Sequence, residues 1–181
     1  MKILFFAGAL RADSCNKKFV REAKRLIEAK GGYETEFVDL KDYPMPVYDG
    51  DIEAATGVPE TTQKLGEKIR AADALIVSTP EYNGSIPGIL KNTIDWLSRE
   101  KSVSLAGKPL LLLAASPGAL GGTRSLWHSR QPFEVLGVHV FPGMMGLPNA
   151  YNAFDDKLHL KEEKLSQQLQ KLLDQFLVHI S

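Results

Sequence analysis

Arg11, Ser14 and Asn16 fall inside the stretch LRADSCN, directly ahead of a helical apolar pattern. A helix start carries unpaired N–H groups and about half a positive charge, which suits a phosphate. Ser14 and Asn16 add neutral donors, and Arg11 adds a fork matched to phosphate oxygens. Neither G-x-G-x-x-G nor G-x-x-x-x-G-K-[ST] occurs there. Each residue also has a plainer reading: Ser14 as an N-cap, Arg11 as a surface residue, Asn16 as the first helical position. A second stretch, TPEYNGSIPG, joins rigid Pro80 to aromatic Tyr82 and to an Asn83-Gly84 turn signal. A third, SPGALGG, sets Gly118, Gly121 and Gly122 before another helix, where backbone can come close to a ligand or simply turn tightly.

Other chemistries are weaker. Cys15 to Arg21 satisfies C-x5-R, the spacing of a thiolate nucleophile with a phosphate cradle. The five residues between them lack glycine and continue the helical pattern, which sets Arg21 more than a turn away. A phosphoacceptor domain needs acids at the ends of its first and third strands, and those ends read FAG and STP. His128 could reach a site mouth, and Arg124 and Arg130 could meet a nucleotide, but all three also read as a solvated helix face. No acid or base is nominated as catalytic.

These stretches need elements to bring them together. ILFFAG (residues 3–8) reads as a buried strand, and NKKFVREAKRLIEAKGG places Phe19, Val20, Ala23, Leu26 and Ile27 on one helical face. YETEFVDL reads as a second strand and DYPMPVYDGDIEAATGVPE as a long loop. TTQKLGEKIRAA is helical, ALIVSTP a strand, and IPGILKNTIDWLSR a helix with Pro87 in its first turn. PLLLLAAS is a fourth strand, and GGTRSLWHSRQPFEVLG a helix that Pro132 should kink or break. VHVFPGMM is a fifth strand and KEEKLSQQLQKLLDQFLVHI a last helix.

Five apolar strands alternating with helices imply an α/β domain over residues 1–181, a parallel sheet covered on both faces. Right-handed crossovers favour the flavodoxin-like order 2-1-3-4-5. Ligands then sit beyond the carboxyl ends of the strands, at the switch between strands 1 and 3. The loops after strands 1, 3 and 4 are the three unusual ones.

Composition narrows the partners. Basic and acidic residues balance at 22 each, so no general pull toward nucleic acid or an anionic membrane is expected. One cysteine gives no internal disulfide, and no Cys/His cluster gives a metal site. The opening apolar run is too short for a signal or a membrane span, and a cytoplasmic location is expected.

GALRADSCN, TPEYNGSIPGILKNTIDWLSR and SPGALGGTR, in this order and spacing, resemble the NAD(P)H-dependent FMN reductases, which include bacterial quinone, chromate and azo-dye reductases. The resemblance implies that Arg11, Ser14, Cys15 and Asn16 surround the phosphate of FMN. It also implies that Pro80, Glu81, Tyr82, Asn83 and Gly84 line the isoalloxazine, and that Ser116, Gly118, Gly121 and Gly122 approach its pyrimidine edge. The implied activity is hydride transfer from NADH or NADPH through FMN to a quinone or similar acceptor. A flavodoxin-type electron carrier is the alternative, and it would not oxidise NAD(P)H by itself. Ala9 departs from the family's serine, which implies one phosphate donor fewer, about 1 kcal/mol, that Ala9→Ser should restore. The family's habit implies a homodimer or homotetramer. Ile86, Leu90, Ile94 and Leu97 form a stripe for the sheet, whereas Trp96 lies on another side and is expected near the interface.

Overall fold

In β1 (Lys2–Ala7) alternate side chains enter different cores. Ile3, Phe5 and Ala7 join a cluster with Phe19, Val20 and Ile27, whereas Leu4 and Phe6 join one with Leu65, Ile69 and Leu90. A strand whose two faces are both buried must lie inside a sheet with helices on each side. The computed structural model, which describes residues 1–181, has that form. After β1 come α1 (Cys15–Lys30), β2 (Glu34–Val38), α2 (Gly50–Thr56), α3 (Glu60–Ala71) and β3 (Ala74–Thr79). Then follow α4 (Gly88–Leu97), β4 (Pro109–Ala115), α5 (Thr123–Val135), β5 (His139–Leu147) and α6 (Glu163–Ile180). The strands pair in parallel in the order β2-β1-β3-β4-β5, as the alternation of elements requires. Residues of α1 and α6 pack on one face; those of α3, α4 and α5 pack on the other. No helix is long and apolar enough to cross a membrane.

Four local expectations are corrected. The expected loop between β2 and α3 contains α2, capped by the Asp49 carboxylate on the N–H of Asp51 (2.8 Å) and ended at Gly57, whose φ is 74°. No residue of α2 is buried, so it has no apolar periodicity to reveal it. Pro87 is the N-cap of α4 rather than part of its first turn; its ψ of 146° is extended. The helix α5 runs across Pro132 without a break. Trp96 is wholly buried inside the chain: its indole N–H donates to Pro46 O (2.8 Å), and its ring meets Tyr48 edge-on at 5.1 Å. The segment from Pro44 to Tyr48 covers that side of α4, so Trp96 has no free face for a partner. Leu90, Ile94 and Leu97 do face the sheet.

Candidate functional site

Because β1, β3 and β4 are parallel neighbours, the loops that follow them leave the sheet at the same edge. They enclose a groove of ≈ 120 Å³. Its walls are Arg11, Asp13, Ser14, Cys15 and Asn16 from the first loop and the start of α1, then Pro80, Glu81 and Tyr82, then Ala115, Ser116 and Pro117. Tyr151, in the turn after β5, closes the rim.

The first wall is rich in donors. None of the backbone N–H groups of residues 10–15 donates to another group of the chain. Ser14 caps α1, its Oγ accepting from the N–H of Asn16 (3.2 Å) and Lys17 (3.4 Å). The Arg11 side chain is exposed. Beneath the loop the Lys17 ammonium, 3% exposed, donates to Leu10 O (3.3 Å) and to Asp39 Oδ2 (2.6 Å), tying the loop to the end of β2. Burial pushes the Asp39 carboxyl up, yet the Lys17 hydrogen bond, the Lys41 N–H and nearby cations hold it below its usual range. Asp13 is held low by its hydrogen bond from Lys18 (2.5 Å).

Several expected roles are reassigned here. Asn16 lines the groove, but its amide is turned inward: Oδ1 accepts from Ala115 N–H (2.8 Å) and Ser78 Oγ (2.7 Å), and Nδ2 donates to Ala115 O (2.8 Å). Burial pushes the Cys15 thiol up, and Arg21 stacks over the Phe37 ring at 4.2 Å, so the C-x5-R spacing builds no thiolate cradle. Ala9 is buried in the cluster with Phe19 and Val20 and does not line the groove; a serine hydroxyl there would enter apolar packing.

The second wall is a tight turn strapped to α5. Tyr82 and Ser85 exchange two backbone hydrogen bonds (3.0 and 3.1 Å), with Asn83 at φ 52° and Gly84 at φ 76°. An N-G pair supplies those two positive angles. Both carboxylate oxygens of Glu81 are taken by Arg124, one by its guanidinium (2.9 Å) and one by its N–H (3.0 Å). His128 Nδ1 lies 3.0 Å from Ser85 Oγ, one helical turn further along. Glu81, Arg124 and His128 therefore hold the loop, and Tyr82 is left 54% exposed. Arg130 is committed elsewhere: it donates to Phe141 O (3.1 Å) and Val140 O (3.3 Å) beside the irregularity where β5 shifts register against β4.

In the third wall Ser116 is fixed by backbone bonds to Leu147 and Ala150 (each 3.1 Å), and its Oγ accepts from Gly118 N–H (3.2 Å). Gly118 is exposed, and a Cβ there would meet only Ser116 Oγ, at an ordinary 3.7 Å. Gly121 and Gly122 are buried and serve packing instead. A Cβ on Gly121 would lie 2.7 Å from the Gly146 carbonyl carbon, and one on Gly122 would lie 2.9 Å from Ala114 Cβ. Tyr151, 67% exposed, was not foreseen from sequence. Its signal was available: the turn after the fifth parallel strand must open on the same edge.

A larger cleft of ≈ 700 Å³ lies away from this edge, between α3 and the chain after α4. Its arginines are already paired, Arg99 with Glu53 and Arg70 with Glu100.

Residues 1–152 match the family model described as NADPH-dependent FMN reductase. The chain is 40% identical over 178 residues to an NAD(P)H-dependent FMN reductase of Pseudomonas aeruginosa, covering 95% of this chain and 93% of that protein. It is 38% identical over 152 residues to a quinone reductase of Escherichia coli K12, covering 81% of this chain and 77% of that one. Among solved structures, the NAD(P)H:(acceptor) oxidoreductase FerB of Paracoccus denitrificans superposes with a TM-score of 0.82 at 29% identity, over 99% of this chain and 96% of that one.

Proposed function

Because this chain belongs to the NADPH-dependent FMN reductase family, we propose that it is an oxidoreductase that passes a hydride from NAD(P)H through FMN to a quinone or similar small acceptor. The observation that carries the reading is the run of unpaired N–H groups at residues 10–15, set before a 16-residue helix and beside the exposed Arg11. Such a run is a concave donor surface for a dianionic phosphate, and it works in a chain whose net charge is zero. The residues fit FMN on this test, and the Tyr82 and Tyr151 rings that line the same groove offer faces for a planar ring system.

Bound FMN supplies the hydride-accepting and hydride-donating chemistry. The chain's residues bind and orient. The phosphate would be held by the amides of residues 10–15, Arg11 and the Ser14 hydroxyl. Glu81, through Arg124, and Ser85, through His128, keep the Tyr82 turn against the groove. In the loop after β4 the N–H groups of Ala119 and Leu120 are unpaired within the chain. Backbone donors of that kind stabilise negative charge developing on a flavin without an ionised side chain. No proton-transferring residue is required of the protein, and His128 does not line the groove.

Chromate and azo compounds are further acceptors under this reading, since an open site selects weakly among small oxidants. A homodimer or homotetramer in the cytoplasm completes the proposal. The test is to add NADH or NADPH anaerobically to protein incubated with FMN and follow the visible flavin band. Bleaching, and its recovery when a quinone is added, supports the reductase. Protein that takes up FMN but is not bleached by either nicotinamide is a carrier. Protein that takes up no FMN overturns the whole reading.

A further inference from the structure

We propose that Asn16 is a positioning residue that holds the three binding loops in one register, and that Ser78 acts on the site through it; this rests on the flavin reading of the groove. Asn16 is 3% exposed and sits in the first turn of α1. Its amide reaches two strands at once. Oδ1 accepts from the hydroxyl of Ser78, the penultimate residue of β3, and from the N–H of Ala115, the last residue of β4. Nδ2 donates to the carbonyl of the same Ala115. Ser78 in turn accepts at its carbonyl from Gly8 N–H (2.9 Å), just past the end of β1. Each of the three loops thus begins within a few residues of this one amide.

The orientation is set by its neighbours. A flipped amide would put N–H against the Ala115 N–H and oxygen against the Ala115 carbonyl. Both lone pairs of Oδ1 and one N–H are used, which leaves a single N–H for any ligand. In the sheet order β1 and β4 are not neighbours; β3 lies between them. Asn16 is therefore a direct tie from the loop after β1 to the loop after β4, and only a group that donates and accepts side by side can make it. Alanine leaves three buried groups without partners, and aspartate keeps the acceptor but loses the donor.

Flavin titrations separate this role from that of a phosphate ligand, because riboflavin lacks the phosphate. Apo wild type, Asn16→Ala, Ser78→Ala and the double variant are titrated with FMN and with riboflavin, and melted without flavin. A positioning role predicts that Asn16→Ala weakens both flavins by a similar factor, roughly tenfold or more, and lowers the apo Tm by about 5 °C or more. Ser78→Ala, at a wholly buried residue outside the groove, weakens both by roughly 2- to 10-fold. The double variant resembles Asn16→Ala alone, since the two share one interaction. Asn16→Asp supplies a rescue. At neutral pH a carboxylate oxygen faces the Ala115 carbonyl, whereas the protonated acid O–H can donate there. Burial and that carbonyl raise the folded pKa of the new carboxyl, so its stability and flavin affinity, relative to wild type, recover as pH falls through that value.

Loss of FMN affinity alone in Asn16→Ala, with riboflavin affinity and apo Tm unchanged, overturns the proposal. So does Ser78→Ala that lowers the apo Tm but leaves both affinities untouched, which would be a purely structural bond. If Asn16→Ala does not fold, Ser78→Ala and the pH rescue of Asn16→Asp decide. If wild type binds neither flavin, the functional reading fails, and the apo Tm coupling between Asn16 and Ser78 decides separately whether the tie exists.

Discussion

Gly118 and Gly121 lie three residues apart in one loop, and the structure predicts opposite outcomes for alanine at each. Gly121 has φ +60°, and an added Cβ would stand 2.7 Å from the Gly146 carbonyl carbon and 2.9 Å from the Gly146 oxygen and the Leu147 carbonyl carbon. Placing an L-residue in the left-handed region costs about 1–2 kcal/mol. Forcing a methyl against backbone, which cannot rotate away as a side chain would, adds about 1–3 kcal/mol. Gly121→Ala should therefore lose roughly 2–5 kcal/mol, a large share of the 5–15 kcal/mol that holds a typical domain. At about 2–4 °C per kcal/mol for a chain of this size, the apo Tm falls by roughly 4–20 °C. Gly118→Ala meets nothing nearer than Ser116 Oγ at 3.7 Å, so its apo Tm should stay within about 2 °C of wild type. Its effect, if Gly118 approaches the flavin, is confined to FMN affinity. Thermal melts of both apo variants beside FMN titrations make the comparison. A Gly121→Ala protein that melts with wild type and has lost only flavin affinity would refute the packing argument.

Three further outcomes follow from the same geometry. Trp96→Phe removes the hydrogen bond to Pro46 O and leaves a small void, together about 2 kcal/mol, while Pro46 O keeps its bond from Asn92; the Tm should drop by about 4–8 °C with the oligomeric state unchanged, and dissociation without a Tm change would place Trp96 at an interface after all. Lys17→Met should destabilise the neutral protein by about 1–3 kcal/mol, less than for a fully dry pair because Asp39 is 23% exposed. The Asp39 carboxyl is depressed in the fold, so its contribution is complete above its unfolded value near about pH 4 and is lost as pH falls through the folded value; the gap between Lys17→Met and wild type in urea melts should shrink in acid, and a gap constant down to about pH 3 would contradict the pairing. Cys15, with its thiol pushed up by burial, should alkylate more slowly than free cysteine at neutral pH, and a fast-reacting thiolate that also cleaves a phosphoryl ester would reinstate the C-x5-R reading.

The sheet order was legible because β1, β3 and β4 each carry an unbroken apolar run, ILFFA, ALIV and LLLLAA, as strands covered on both faces do. The switch point then named the loops. What the sequence could not carry is the direction in which each loop residue turns. Asn16 has the type and place of a phosphate donor, yet three buried polar groups at the ends of β3 and β4 claim its amide first. Gly121 and Gly122 look like Gly118 in a string of letters, but contact with the end of β5 and with Ala114 decides their role, and those contacts are 25 and 8 residues away along the chain. Trp96 lies off the apolar stripe of α4 because a proline-rich segment about 50 residues earlier folds over it, which helical periodicity does not encode.

These reassignments point the same way. At the edge where the loops meet, Asn16, Glu81, Arg124 and Lys17 are all engaged by partners within the chain. The groups left without partners are backbone amides, the Arg11 guanidinium, the Cys15 thiol and two tyrosine rings. A side chain held by two or three internal bonds cannot also follow a ligand, but it can fix the backbone, and fixed amides lose little entropy or solvation when an anion arrives. Removing a side chain that fixes the loops should therefore disturb flavin binding as much as removing one that touches the ligand, and it should disturb the apo protein as well. Substitution of Arg11, which has no partner in the chain, should by contrast weaken FMN while leaving the apo Tm and riboflavin binding unchanged. Equal loss of both flavins in Arg11→Ala would mean that the guanidinium, too, is part of the scaffold.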